Sequence, residues 1–342
     1  MAECSRTALW AHHDTPWRGD LMARSLALNG IYVGYDDGTA TWSESLALAV
    51  PSARLVTSHF DPTRRTRAAF LRKILFELTF RGRVAEEVRI HPYTACALDP
   101  KSALVVLDTF GAVLDPGWLS VLARASIRRA RYLATISRQE QRVLEAHFGR
   151  RFTLLTPFPH SDFFTRPLAA SDRHATIGTL RVAYWGGWHP RKAIGEMFHS
   201  IVPSRHVHFY CTGVPPNEIA ARADVTCVGR LSRTALIDLI DSAHVALYPS
   251  RAEGLGLPPY EALLRGRPVI LRSLPCYDDY LLAPRGPGIV PLVDGDHFSD
   301  LLAIARDVGP VTPDAHLQTP SLAAARERLT TQVQAWLGAP QR

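Results

Sequence analysis

Two glutamates, Glu253 and Glu261, stand with seven residues between them in the run 249–271, PSRAEGLGLPPYEALLRGRPVIL, where Gly254, Leu255, Gly256, Leu257 and a double proline fill the gap. An ionised carboxylate only accepts hydrogen bonds, and a vicinal diol offers two donors, so such a pair suits recognition of sugar hydroxyls. Upstream, the run 180–192, LRVAYWGGWHPRK, closes an apolar stretch with Gly186 and Gly187 and then sets Arg191 beside Lys192. Lys192 departs from a strong arginine preference, because only Lys73, Lys101 and Lys192 among 39 basic residues are lysines. Basic side chains at the amino end of a helix are repelled by its dipole unless an anion is bound there. A compact ammonium suits a crowded diphosphate better than a planar guanidinium fork.

The elements that must position these groups are legible around them. Residues 246–248 form an apolar β run that stops at Pro249, and Gly254 and Gly256 permit a tight turn with close backbone approach to a ligand. Pro258 and Pro259 sit where a helix begins, the helix runs through Tyr260 to Arg265, and Gly266 supplies a left-handed stop before a strand at 268–271. Pro190 likewise opens a helix whose first turn carries Arg191 and Lys192. Strands are expected at 206–211 and 224–228, then a helix with Ser232 as its N-cap. In an open parallel sheet, ligands bind at the carboxyl ends of strands, where helix amino termini offer free N–H groups to anions.

The chain has 342 residues and 46% hydrophobic content, more than one ordinary core fills and far from a disordered composition. Short apolar strands alternate with helical stretches throughout, which predicts an α/β class with parallel sheets. In the first half, strands are expected at 7–11, 31–35, 54–58, 104–107, 132–136 and 152–155. The domains are expected at 1–165 and 166–320, with a last helix in 321–342 packing back on the first domain.

The run 249–271 resembles the donor-site motif of the retaining, nucleotide-sugar-dependent glycosyltransferases of family 4. That resemblance implies the GT-B architecture, two Rossmann-like domains facing a central crevice. It implies that Glu253 contacts hydroxyls of the transferred sugar, Glu261 binds the nucleotide ribose, and the backbone amides of Gly254 to Leu257 contact the donor. Lys192 matches the donor-phosphate lysine of the family, and the backbone around Val228, Gly229 and Arg230 would edge the nucleobase. The family often carries an arginine just after the first glycine, where this chain has Gly187, so Arg191 or Arg251 is left to supply that charge. In the first domain, 104–108, LVVLD, is similar to the strand that ends in His-Asp in many relatives. Asp108 keeps the aspartate, while Leu107 occupies the histidine place. His12, His13, His59 and His91 stand near strand ends or loops, and Asp108, His12 and His13 are the acceptor-side candidates. The family's glycine-rich first loop is replaced by HHDTPWRG at 12–19.

The expectation is therefore a transferase that moves a sugar from a nucleotide sugar to a hydroxyl on a carbohydrate, lipid-linked or small-molecule acceptor. It uses no cofactor and no metal. Asp278 and Asp279 are read as the start of a helix, and Asp36 and Asp37 as part of a turn in the first domain. A non-catalytic nucleotide-sugar or carbohydrate-binding subunit, and a sugar-nucleotide epimerase or phosphorylase of the same architecture, are the alternatives.

The net charge of +7 concentrates at 64–83 and 124–151. In the first stretch, Phe70, Leu71, Ile74, Leu75 and Leu78 recur at helical spacing and predict an amphipathic helix with a basic face. A solvated core helix and a peripheral contact with an anionic membrane are the two readings of that face. Nucleic acid is disfavoured, because aromatic interleaving and a binding module are absent. The dispersed, odd set Cys4, Cys96, Cys211, Cys227 and Cys276 reads as reduced, and with no long apolar run the expectation is a cytoplasmic chain.

Overall fold

A computed structural model describes residues 26–29, 38–57, 66–68, 71–72, 75–76, 79–80, 86, 88–91, 102–107, 118–168, 178–283, 286, 288–293 and 298–338. The strand candidates at 7–11 and 31–35 and the acidic pair Asp36 and Asp37 lie outside these residues, as do Cys4 and Cys96.

Runs of four or five apolar residues with no polar alternation, such as Val245–Tyr248, bury both faces, the expected signature of parallel strands covered by helices on each side. They assemble into two six-stranded parallel sheets. The first has β1 (Leu26–Asn29), β2 (Arg54–Val56), β3 (Val88–His91), β4 (Ser102–Val106), β5 (Tyr132–Thr135) and β6 (Thr153–Leu154) in the order β2-β1-β3-β4-β5-β6. The second has β7 (Leu180–Tyr184), β8 (Val207–Thr212), β9 (Val225–Gly229), β10 (Val245–Tyr248), β11 (Val269–Arg272) and β12 (Ile289–Leu292) in the order β12-β11-β10-β7-β8-β9. In the second sheet the order reverses between β7 and β10. Chains leaving two adjacent strands in opposite directions open a crevice at their carboxyl ends, so the loops after β7 and β10 share one site. Those loops carry 185–192 and 249–257.

Helices α1 (Gly38–Ala49), α2 (Trp118–Arg129) and α3 (Arg138–Phe148) accompany the first sheet. The connecting segment carries the short helix α4 (Asp162–Thr165). Helices α5 (Ile194–Ser200), α6 (Asn217–Ala220), α7 (Arg233–Ser242), α8 (Leu257–Leu264) and α9 (Phe298–Val308) accompany the second. The last helix, α10 (Leu322–Gly338), lies against α1: Arg326 Nε donates to Leu48 O at 3.1 Å, and Trp336 and Leu337 are fully buried. Gln332 Oε1 also accepts from the backbone N–H of Thr156 at 2.8 Å, where the chain leaves the first sheet.

Two charge clusters tie the layers together. Glu44 on α1 meets His160 Nε2 at 3.2 Å and Arg233 Nη2 on α7 at 3.4 Å. Arg265, buried at the end of α8, pairs with Asp241 at 2.6 Å and donates to the carbonyls of Arg166 and Pro167 at 2.7 and 2.8 Å. A buried guanidinium is tolerable only when its fork is filled in this way.

Some expectations change. The helical residues between 67 and 80 turn Phe76 and Phe80 inward, stacked at 6.2 Å, and leave Leu71 and Leu75 exposed. Of the expected stripe, Phe70, Ile74 and Leu78 lie outside the described residues. His91 is 2% exposed, edge-on to Phe80, with Nδ1 3.5 Å from Asn29 Nδ2, so it belongs to the core and not to an acceptor site. His12, His13, His59 and Asp108 lie outside the described residues. Among the described residues no helix is long and apolar enough to cross a membrane. Cys211, Cys227 and Cys276 are free thiols.

Candidate functional site

The strand–turn–helix unit around the two glutamates has the local form its residues dictate. After β10 the chain turns through 249–256, and Gly256 takes φ 74°, the left-handed region open to glycine. A Cβ there would stand 2.6 Å from Tyr277 Cε1 and 3.3 Å from Glu253 Cγ, so the glycine is also required for space. Gly254 does not share the positive φ; one left-handed residue suffices for the turn. Leu257, Pro258 and Pro259 start α8, and Gly266 at φ 66° ends it.

Helix α8 is apolar apart from Glu261, and packing of Tyr260, Ala262, Leu263 and Leu264 carries the carboxylate inward with them. Glu261 is 8% exposed, and its Oε2 accepts from the indole N–H of Trp185 at 2.6 Å. Burial holds the carboxyl up at about 7, with the Trp185 bond and the Arg233 charge pulling the other way. Tyr248 on β10 faces the same carboxylate, its phenol held well above the usual range by burial and by Glu261.

Glu253 lies in the turn itself, and two cations converge on it. Lys192 Nζ is 2.5 Å from Oε1 and Arg191 Nη1 is 3.6 Å from Oε2. Pro190 does not open an α-helix here. Pro190–Lys192 is a single 3-10 turn closed by Ala193 at φ 52°, after which α5 begins. The basic pair therefore stands ahead of the helix and points across to the β10 loop; Arg251 N donates to Arg191 O at 2.8 Å and clamps the two loops together. Of the two candidates for the charge missing at Gly187, Arg191 lies at the site, whereas Arg251 pairs with Glu196 on α5 at 2.5 Å.

The glycine loop after β7 is pinned by aromatic side chains. Tyr184 Oη donates to Gly187 O at 2.6 Å, Trp188 Nε1 donates to Thr212 O at 2.9 Å, and Gly186 N donates to Thr212 Oγ1 at 3.2 Å. Leu255 is buried in the turn; Val228, half-buried, and Arg230, exposed, stand at the carboxyl end of the edge strand β9, two strands beyond β7. Sequence reasoning passed over Trp185, Tyr248, Ser250 and Tyr277. Their signal is chemical: the hydroxyls of Tyr248, Ser250 and Tyr277 are buried with no hydrogen-bond partner among the described residues, Tyr248 under the influence of Glu261 and Tyr277 under that of Glu253. Native interiors seldom leave such groups unpaired without a use.

Asp278 and Asp279 belong to a 3-10 turn, Pro275–Asp279, and not to the start of an α-helix. Asp279 Oδ2 accepts from Arg138 N at 2.8 Å and so caps α3 of the first sheet's layer, an anion at a helix amino terminus. Among the described residues no three His, Cys, Asp or Glu side chains come together as a metal site would require.

Residues 179–290 match the family model of glycosyl transferases group 1. No curated protein sequence matches the chain. Among solved structures it is similar to sucrose-phosphate synthase from Thermosynechococcus elongatus, at 14% identity and a TM-score of 0.61 over 92% of this chain and 97% of that one. It is also similar to Anabaena HepE in complex with UDP and glucose, at 12% identity and a TM-score of 0.60 over 92% and 98%. A third is WaaG, a glycosyltransferase involved in lipopolysaccharide biosynthesis, at 13% identity and a TM-score of 0.55 over 92% and 94%. The chain thus matches the glycosyl transferases group 1 model over residues 179–290 and shares the two-sheet fold of these GT-B glycosyltransferase structures.

Proposed function

We propose that this protein transfers a sugar from a nucleoside-diphosphate sugar to an acceptor hydroxyl with retention of anomeric configuration. One observation carries the reading: the loops after β7 and β10 meet at the switch point of the second sheet with Lys192 and Arg191 against Glu253, and Glu261 is buried in the helix that follows. Lys192 and Arg191 neutralise the diphosphate without a divalent metal. Glu253 accepts from hydroxyls of the transferred sugar, and Glu261 accepts from the ribose. Backbone N–H groups of Gly254 to Leu257 supply further polar contacts to the donor. Val228 and Arg230 edge the base.

The chemistry is front-face substitution. The bond from the anomeric carbon to the diphosphate oxygen breaks, the acceptor oxygen bonds to the same face, and the acceptor proton passes to the departing phosphate oxygen. The charge that develops on the leaving diphosphate is met by preplaced cations, the usual largest contribution to catalysis. HepE structures hold UDP-glucose, which supports a nucleotide sugar as the partner here. The first domain is assigned the acceptor, a carbohydrate, lipid-linked or small molecule, with Asp108, His12 and His13 as its candidate residues. Its basic face, with Leu71 and Leu75 exposed beside Arg67 and Arg72, is assigned a peripheral contact with anionic lipid.

A thermal-shift screen with the uridine, guanosine, adenosine, cytidine and thymidine diphosphates and their sugars tests the donor site. NMR of the transfer product reads the anomeric configuration. Binding without transfer to any acceptor or water favours a non-catalytic subunit, and no response to any nucleotide removes the reading.

A further inference from the structure

Glu261 is a buried carboxylate with no ion-pair partner among the described residues; what orients it is a single neutral donor, the indole N–H of Trp185 at 2.6 Å. An indole nitrogen donates and never accepts, so the bond takes one carboxylate oxygen, Oε2, and leaves Oε1 for a ligand hydroxyl. The ring is fixed as well. Trp185 is 5% exposed, directly follows β7, and stands edge-on to Tyr248 at 5.1 Å and 88°. This placement differs from that of the buried indoles of Trp42 and Trp336, whose N–H groups have no partner among the described residues. Indole burial in this chain therefore does not by itself secure a hydrogen bond.

We propose that Trp185 is a positioning residue for the nucleotide: it sets the orientation in which Glu261 meets the ribose, and so underlies discrimination between ribonucleotides and deoxyribonucleotides. The inference rests on the donor-site reading above. It assigns to the β7 loop a second task beside holding phosphate, because the residue before the glycine pair reaches the carboxylate of a helix that follows a different strand. A carboxylate with one oxygen fixed presents the other in one place, whereas a freely rotating one would accept a ribose hydroxyl at the expense of rotamer entropy.

The test is calorimetric titration of the wild-type chain and Trp185→Phe with the five ribonucleoside diphosphates, then with the 2′-deoxy and 3′-deoxy forms of whichever binds. The wild type should prefer the ribonucleotide by about tenfold or more, the worth of a hydrogen bond to a charged group. Trp185→Phe should weaken the ribonucleotide about five- to tenfold and leave the deoxy forms nearly unchanged, so that the preference collapses. A merely structural role would weaken all of them alike and keep the ratio, which overturns the proposal. Trp185→His keeps a ring N–H and serves as the second variant. It should retain part of the ratio, and loss as complete as in the phenylalanine chain counts against the hydrogen bond. If no diphosphate binds the wild type, the donor-site reading itself fails. If the wild type binds with a ribose preference that survives Trp185→Phe, only the assignment of Trp185 is lost.

Discussion

Glu261→Gln should stabilise the empty protein at the expense of nucleotide binding, and its size follows from the carboxyl's position. The group sits at about 7 against an ordinary 4.5, with burial as the main cause. At about 1.36 kcal/mol per pKa unit that difference corresponds to roughly 3 kcal/mol of disfavour for the ionised form in the fold. Between pH 4.5 and 7 the folded state keeps a proton that the unfolded chain has lost. Stability of the wild type therefore falls as pH rises through that window and is level above it. Glutamine cannot ionise and escapes the loss; the value of about 7 already contains the Trp185 bond, and the amide oxygen keeps that donor as the protonated carboxyl does. The gain is about 3 kcal/mol at pH 8 and about 1 kcal/mol at pH 5. For a unit of this size the gain at pH 8 is about 6–12 °C in Tm. The assay is differential scanning calorimetry of both chains from pH 5 to 8, following the transition of the second domain. Nucleoside diphosphate affinity of the variant should fall about tenfold or more through loss of the charge-assisted ribose bond. A Tm difference that does not grow with pH, or a variant less stable than wild type at pH 8, would refute the argument.

Lys192→Ala should reduce transfer about 10- to 150-fold, the worth of one charge-assisted hydrogen bond, with Lys192→Arg recovering part; unchanged turnover in steady-state assays removes the phosphate role. Glu253→Gln should lower turnover while nucleoside diphosphate affinity is kept or tightened a few-fold, since Lys192 now sits 2.5 Å from Glu253 Oε1 and would be released to the phosphate; a loss of diphosphate affinity in titration contradicts this. Gly187→Arg should fold without loss of Tm, because a Cβ there meets nothing within 4 Å and its φ is not positive, and should tighten the diphosphate about threefold to tenfold; a destabilised or weaker-binding variant refutes it. The melting shift caused by nucleotide should survive excess chelator, and a shift that vanishes in chelator and returns with Mn or Mg shows that the diphosphate is held through a metal.

Local chemistry determined much of this protein without help from the fold. Proline at the start of α8, Gly256 in the turn, Gly266 at the helix end, and the apolar strands on either side make the strand–turn–helix unit readable, since each depends on backbone freedom within a few neighbours. The resemblance of that unit to a donor motif needed no coordinates. Other features needed the tertiary structure. That Lys192 lies against Glu253, sixty-one positions away, follows from β7 and β10 being neighbours, and strand order is not written in periodicity. Whether Arg191 or Arg251 joins them depended on which of the two Glu196 engages. Phe76 and Phe80 are buried, with His91 against Phe80, while Leu71 and Leu75 are exposed, and composition alone does not say which apolar side chains the sheet packs against. The state of Glu261 was decided last: its apolar neighbours bury it, and only the packed chain brings the indole of Trp185 within reach to hold it.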